Sequence, residues 1–445
     1  MIEERNLYES RTQKSKALWE KANKVLPMGT ASNARAYDPY PLFIAGAAGS
    51  RLVDVDGNEY VDYNLSFGAL LTGHRHPVVL EAVRKQLSLG TMYGMCHDLE
   101  AEVAEEILKR YPFLAKVRFA STGTEATMHA IRLAKSYTGR DYIVKMEGAY
   151  HGLHDAVMIS VKPLAGQWGP GFEPLSVPFG EGVSTNLTHV AQFNDLRSLE
   201  LSLDKVFPDQ VAAVIVEPVM MNMGVLLPFP SYLQSIRELC TKYGALLIFD
   251  EVKSGGIGYG GAASEFEVTP DIVCLSKSIG GGFPLAAFGA SLSIMKVIED
   301  RRMFHAGTYN ANPISMAAGL ATLKYVLTRD AYGQARTLSD LLAVGYKRIL
   351  TENGISGLVT NVGVNGSVAF GVDTIRSYRD WAKADMNMWE RYWLGMVNRG
   401  VIPQPYGGDE EWTVSVVHTE EDIIRHLEVL AEVARSLKEK ARAAS

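Results

Sequence analysis

The chain has 445 residues, of which 47% are hydrophobic, and a formal net charge of −6. This length and apolar content can supply large cores without disulfide bonds, and the acidic balance offers no basic surface for nucleic acid. No apolar stretch approaches the ~18 residues of a membrane-spanning helix. The three cysteines have no CxxC spacing, so we expect a cytoplasmic protein with reduced thiols and no metal site.

The two ends of the chain are predicted to form one smaller α+β domain. Leu18, Ala22 and Val25 share one face of a helix predicted over the first ~25 residues. A hairpin is predicted over 53–61, where Asp-Gly-Asn is a turn signal. We expect residues 1–66 to pack with residues 326–445, and residues 67–325 to form a larger domain of alternating strands and helices.

A candidate anion-binding turn follows the first strand of the larger domain. A strand is predicted over 117–120, and the run Ser-Thr-Gly-Thr at 121–124 leads from it into a helical pattern. The N-terminus of a helix presents free N–H groups and the positive end of its dipole to an anion. Alone, this run is weak evidence for an anion-binding site, because the same residues also form an ordinary N-cap.

Three apolar runs further along the chain each stop at an ionisable side chain: 212–216 before Glu217, 245–249 before Asp250, and 271–276 before Lys277. Short continuous apolar runs predict parallel strands that are covered on both faces. Their spacing suits strand–helix–strand units of roughly 30 residues. All three ionisable groups should then lie at the carboxyl edge of one sheet, where α/β folds bind ligands.

An amine and a carboxylate at that edge favour pyridoxal phosphate as the cofactor. Its aldehyde needs an amine such as Lys277, and its ring nitrogen needs an anion such as Asp250 to stay protonated. The run at 121–124 would hold its phosphate. Alone, Lys277 could be a surface lysine at a strand end and Asp250 a helix cap or half of a salt bridge.

A glycine-rich run at 256–261 formally matches GxGxxG after a strand, which is typical of a dinucleotide-dependent dehydrogenase. Only about seven residues separate it from Thr269-Pro270, too few for the helix that this motif requires. We therefore interpret the run as a mobile loop beside Asp250 and keep the dehydrogenase as a remote alternative. A non-catalytic protein on the same fold is the other alternative, which the pair Lys277 and Asp250 disfavours.

Seven motifs occur in a fixed order: STGTEA (121–126), EGAYHG (147–152), FNDL (193–196), VEP (216–218), FDEV (249–252), LSKSIGGG (275–282) and AGTYNANP (306–313). The series resembles the class III aminotransferases, and within them the glutamate-1-semialdehyde 2,1-aminomutase group, from about Ser32 to His418. The resemblance implies a fold-type I pyridoxal-phosphate enzyme with a mostly parallel, seven-stranded type of sheet. It also implies a homodimer with shared active sites that acts on small molecules.

The resemblance makes Lys277 the residue that binds the cofactor covalently and Asp250 the partner of its ring nitrogen. It places further cofactor contacts at Thr122, Gly123, Thr124, Tyr150, His151, Asn194, Glu217 and Val252, with Thr308 from the neighbouring subunit. It places the substrate at Ser32, Arg35, Phe67 and Glu410, with Arg35 on a substrate carboxylate. The chain has Ser121 where the group usually has asparagine, and Phe67 where it commonly has tryptophan.

The segment 161–186 departs most from the aminomutase pattern. Its prolines and glycines predict a long loop that acts as a lid. It lacks the Gly-Ser-Gly run of the gate that retains the aminomutase intermediate. We therefore expect an aminotransferase that moves an amino group between a small carboxylate-bearing amine and a keto acid or aldehyde by ping-pong chemistry. The alternative is the aminomutase reaction itself.

Overall fold

The structure is a computed structural model that describes residues 2–184 and 186–444. Met1, Thr185 and Ser445, which fall in the predicted segments 1–66, 161–186 and 326–445, lie outside the described residues. Two compact units are formed. The larger comprises 77–332 and 375–382, and the smaller comprises the described parts of 1–76, 333–374 and 383–445.

In the described residues the strands, in chain order, are β1 (Ile44–Ala48), β2 (Arg51–Asp54), β3 (Glu59–Asp62), β4 (Lys116–Ala120), β5 (Tyr142–Met146), β6 (Thr188–Ala191), β7 (Val211–Val216), β8 (Leu246–Asp250), β9 (Ile272–Leu275), β10 (Ala286–Ala290), β11 (Gly357–Val362), β12 (Asn365–Phe370), β13 (Val401–Ile402) and β14 (Trp412–Thr413).

The α-helices of the same residues are α1 (Ile2–Arg11), α2 (Gln13–Ala22), α3 (Leu65–Gly68), α4 (Pro77–Leu89), α5 (Leu99–Arg110), α6 (Gly123–Thr138), α7 (Leu196–Leu201), α8 (Tyr232–Tyr243), α9 (Gly261–Glu265), α10 (Leu292–Glu299), α11 (Pro313–Ala321), α12 (Arg329–Asn353), α13 (Tyr378–Trp381), α14 (Met386–Asn398) and α15 (Glu420–Ala444).

The larger unit is built on a seven-stranded sheet of order β4-β10-β9-β8-β7-β5-β6. Strand β10 is antiparallel to both of its neighbours, and the pairs β9/β8, β8/β7, β7/β5 and β5/β6 are parallel. This mostly parallel, seven-stranded sheet agrees with the predicted fold class. The carboxyl ends of β4, β5, β7, β8 and β9 therefore share one edge.

The continuous apolar runs arise because this sheet is covered on both faces. Every residue of β7, β8 and β9 is buried. Along β8, Leu247 and Phe249 join one apolar cluster, while Leu246 and Ile248 join another. Each such side chain contributes about 1.5–3 kcal/mol on burial, so an alternating polar pattern would cost the sheet one of its covering layers.

The smaller unit has two sheets, of orders β1-β2-β3-β13 and β11-β12-β14. The predicted hairpin is confirmed, since β2 and β3 pair antiparallel around the turn at 55–56. A capping box opens the last helix, α15, where Thr419 N donates to Asp422 Oδ2 at 3.1 Å and Asp422 N donates to Thr419 Oγ1 at 3.3 Å.

The predicted helical face near the N-terminus is wrong. The helix is interrupted between α1 and α2, at Thr12, and Leu18 and Val25 are exposed. Tyr8, Thr12 and Ser15 are the buried side chains, because Tyr8 and Thr12 donate hydrogen bonds to main-chain carbonyls.

The units divide after residues 76 and 332, which is ten and seven residues beyond the predicted limits of 66 and 325. Residues 375–382, which we expected in the smaller domain, belong to the larger unit. There the Arg379 guanidinium pairs with both oxygens of the buried Glu147 carboxylate, at 2.7 and 3.0 Å. A bidentate, buried pair of this kind holds the segment in place.

Candidate active site

Lys277 lies two residues beyond the end of β9, and its side chain is half-buried. Its φ of 51° is in the left-handed region, and it begins a short 3₁₀ turn over Lys277–Gly280. A non-glycine residue in this region costs about 1–3 kcal/mol, and such strain is concentrated at functional sites.

Asp250 is the last residue of β8 and is 4% exposed. His151 Nδ1 lies 2.8 Å from its Oδ2, and the Val252 main-chain N–H donates to its Oδ1 at 3.0 Å. An ionised carboxylate only accepts hydrogen bonds, so Nδ1 carries the proton of the first contact. Both carboxylate oxygens are thus held in a fixed orientation by these two contacts.

Glu217, one residue beyond β7, holds the turn that carries Tyr150. Its Oε1 accepts the Tyr150 main-chain N–H at 2.9 Å, and its Oε2 accepts Asn222 Nδ2 at 2.9 Å. Burial raises the pKa of Glu217, and nearby His151 opposes that rise. The contacts fix the main chain immediately before His151.

The predicted cradle falls at the start of α6. Thr122 is its N-cap and shares a capping box with Glu125, through Glu125 N to Thr122 Oγ1 at 3.2 Å and Thr122 N to Glu125 Oε2 at 2.9 Å. A Cβ on Gly123 would lie 2.9 Å from Cγ1 of Val252. Glycine therefore lets the helix N-terminus and Val252 approach each other at the site.

A single cavity of the larger unit collects most of the predicted cofactor residues: Gly123, Thr124, Tyr150, His151, Glu217, Asp250, Val252 and Lys277. Gly152, Asn222, Lys253 and Ser276 also line it and were missed. Gly152 and Ser276 lie inside quoted motifs and could have been inferred from them. No pattern in the sequence marks Asn222, whose place depends on Glu217.

Three predicted cofactor contacts, Asn194, Thr308 and Thr122, do not line this cavity. Asn194 Nδ2 donates to the carbonyls of Leu227 and Arg376, and its Oδ1 accepts the Phe229 N–H at 2.8 Å. These bonds join loops, and Asn194 does not line the cavity of Lys277. Thr308 is exposed in the turn after Gly307, and Thr122 is used by the capping box.

The predicted substrate residues belong to the smaller unit. Arg35 and Phe67 line a cavity of about 480 Å³, in which His74 Nε2 and Asp62 Oδ2 are 2.7 Å apart. Phe67 has a φ of 60° within α3. Ser32 and Glu410 are not among the residues that line this cavity.

The remote dehydrogenase alternative requires a long helix after the glycine-rich run. Helix α9, which begins at Gly261, has five residues. Its second and third N–H groups, on Ala262 and Ala263, donate to the buried Glu251 carboxylate at 2.7 and 2.8 Å. Glu251 therefore occupies the helix terminus where that alternative would place a pyrophosphate.

These features define the class of the site. An amine beyond one parallel strand, a buried and oriented carboxylate on the next, and a helix N-terminus beside them fit the aldehyde, ring nitrogen and phosphate of pyridoxal phosphate. The buried Nε2 of His151 has no hydrogen-bond partner, which is consistent with a polar group of the cofactor or substrate in this cavity.

The chain belongs to the class-III aminotransferase family, whose model matches residues 32–428. It is 41% identical over 435 residues to the glutamate-1-semialdehyde 2,1-aminomutase of Desulfitobacterium hafniense strain Y51. This match covers 96% of the present chain and 99% of the relative. An omega-transaminase from Sphaerobacter thermophilus superposes with a TM-score of 0.90 at 33% identity, covering 96% of this chain and 98% of that one. A transaminase with PLP bound superposes with a TM-score of 0.86 at 31% identity, covering 97% and 99%.

These findings confirm the predicted family, the enzyme class and pyridoxal phosphate as the cofactor. Across residues 2–184 and 186–444, none of the helices combines the length and apolarity needed to cross a membrane. The same residues contain no group of three or more histidine, cysteine or acidic side chains arranged to hold a metal ion.

Proposed function

We propose that this enzyme moves an amino group between neighbouring carbons of one small carboxylate-bearing substrate, with glutamate-1-semialdehyde as the first candidate. The 41% identity to an enzyme named for that reaction, over nearly all of both chains, carries the proposal. It favours the alternative, intramolecular reaction over the ping-pong aminotransferase that we expected from the sequence.

Six of the predicted cofactor residues have a defined role in this proposal. Pyridoxal phosphate, when bound, supplies an electron sink for the carbon that carries the amino group. Lys277 would hold the cofactor and move a proton at its Nζ. Asp250, oriented by His151, would keep the ring nitrogen protonated. The N–H groups at Gly123 and Thr124 would bind the phosphate, and Tyr150 would cover one face of the ring.

One observation favours intermolecular transfer as a second candidate function. The loop that replaces the aminomutase gate is tied down at several points: Tyr378 Oη donates to the Pro163 carbonyl at 2.8 Å, and Arg379 donates to the carbonyls of Trp168 and Gly169 at 2.6 and 3.0 Å. A loop held in this way is poorly suited to close over an intermediate, so the intermediate would leave and a separate acceptor would be needed.

One assay separates the two candidates. The holoenzyme is given glutamate-1-semialdehyde with no amino acceptor, and product is counted per active site. We expect many turnovers, with the amino group on the neighbouring carbon. Absence of that rearranged product, with the amino group passing instead to a separate keto acid or aldehyde, would contradict the aminomutase proposal and support the aminotransferase.

Arg35 is proposed to bind the substrate carboxylate. Arg35→Ala should raise KM for carboxylate substrates by roughly tenfold to a hundredfold, the cost of a lost charged hydrogen bond, with a smaller effect on kcat. KM for a plain amine should change little. Arg84→Ala, on the exposed face of α4, is the control. An equal rise in KM for both substrates would rule out the carboxylate contact.

Two copies of the chain are proposed to share each active site, with Thr308 reaching the neighbouring phosphate. Thr308 is exposed, and the nearby apolar side chains of Phe304 and Tyr309 are 83% and 67% exposed. Lys277→Ala and Thr308→Arg, each inactive alone, should regain part of their activity when refolded together, because one site of the mixed dimer is intact. Subunit exchange without recovery would place Thr308 elsewhere.

A cytoplasmic location remains part of the proposal. The structure has three free cysteines, and burial raises the pKa of the Cys240 thiol to about 12, so this thiol is held in its protonated, unreactive form. Such thiols suit a reducing compartment.

A further inference from the structure

A lysine is completely buried behind the turn that carries Tyr150. Lys145 lies on β5, between β6 and β7, and its relative exposure is 0%. Lysine is almost never fully buried without partners. Lys145 has no part in the chemistry proposed for Lys277, so its burial requires a separate explanation.

The partners of the Lys145 amine are two main-chain carbonyls. Nζ donates to the carbonyl of Ala149 at 2.8 Å and to that of Ile159 at 2.5 Å. Ala149 directly precedes Tyr150, and Ile159 lies on the chain that returns past the same turn, where Gly148 N donates to the Ser160 carbonyl at 2.8 Å. The amine therefore joins the two sides of this chain reversal.

Placing an amine here is costly. Burial lowers the pKa of Lys145 to about 7, and the carboxylates of Glu217 and Glu147 oppose that change. Glu147 is itself paired with Arg379. A methionine of similar length would fill the same space without desolvating a charge. The need to fill the core therefore does not explain why this position is a lysine. The two hydrogen bonds that its amine donates do explain it.

We propose that Lys145 is a positioning residue of the cofactor site, which ties Ala149 to Ile159 and so fixes the turn that presents Tyr150 and His151. Glu217 holds the same turn from β7 and Asp250 holds it from β8. The inference holds whether the amino group moves within one substrate molecule or between two. It depends on the proposed place of Tyr150 and His151 at the cofactor.

Lys145→Met tests this in the holoenzyme, with Lys116→Met as the matched control. Lys116 lies on the same sheet, on β4, but is exposed and paired with Glu299. With Lys145→Met we expect the visible circular dichroism of the bound cofactor to fall by about half or more and kcat to fall by about a hundredfold, as expected for a displaced site, with little change in KM. The control should match the wild type in both.

Lys145→Gln keeps two N–H donors without the charge and should lie between the wild type and Lys145→Met. If Lys145→Met does not fold, the visible signal and kcat of Lys145→Gln are compared with those of the wild type and the control instead. A wild-type visible signal and kcat in a folded variant, even with a lower melting temperature, would overturn the proposal. A cofactor bound to a lysine other than Lys277 would instead contradict the proposed cofactor site itself. Peptide mapping of the labelled lysine distinguishes that outcome from failure of the Lys145 proposal alone.

Discussion

Lys277→Ala is expected to lower turnover by about 10³-fold or more, because a positioned proton carrier typically contributes 10²–10⁴-fold and this residue also holds the cofactor covalently. The cradle at α6 and the Asp250 carboxylate are unchanged in this variant, so the protein should still bind pyridoxal phosphate. Steady-state kinetics and the absorption spectrum of the dialysed protein measure the two effects separately.

Lys116→Ala is the control for Lys277→Ala, since it removes an exposed lysine from the same sheet. It should retain wild-type kinetics. Turnover of Lys277→Ala within tenfold of the wild type would mean that another amine performs the reaction. Lys253, which lines the same cavity, would then be the first to examine.

Asp250→Asn is expected to lower kcat by about 10²-fold or more, as for loss of a preorganised electrostatic contact at the reacting group. Asparagine has nearly the same shape, but it is neutral and cannot hold the ring nitrogen protonated. Because the carboxylate is 4% exposed, solvent cannot replace its charge. The variant should still fold and bind cofactor, with a changed absorption spectrum.

Asp300→Asn is a matched control, because it makes the same change in an exposed carboxylate that pairs with Lys296 on the surface. Its kinetics should equal those of the wild type. A normal kcat for Asp250→Asn would show that the ring nitrogen does not need an anion in this enzyme. The proposed role of His151, which orients Asp250, would then have no basis.

The sequence predicted the central strands and their ends for a simple physical reason. Strands β7, β8 and β9 are buried on both faces, so they appear as unbroken apolar runs. The first ionisable residue after each run is then at the edge of the sheet. Asp250 and Lys277 could be found in this way, as could the start of α6 from its capping residues.

Other features depend on contacts that no local pattern contains. Residues 375–382 join the larger unit through Arg379 and Glu147, which are 232 residues apart in the chain. The face of Leu18 and Val25 has helical periodicity, but the helix breaks at Thr12, where long-range hydrogen bonds to Tyr40 accompany the burial of Tyr8 and Thr12 instead. Asn194 is polar and lies in a family motif, yet its hydrogen bonds join loops.

The central claim is that Lys277 holds pyridoxal phosphate at the carboxyl edge of the parallel sheet. Borohydride reduction of the holoenzyme, followed by protease digestion and mass spectrometry, locates the lysine that carries the cofactor. The account predicts one labelled peptide, with the cofactor on Lys277. A label on Lys253, in the same cavity, or on Lys145, behind the Tyr150 turn, would contradict it.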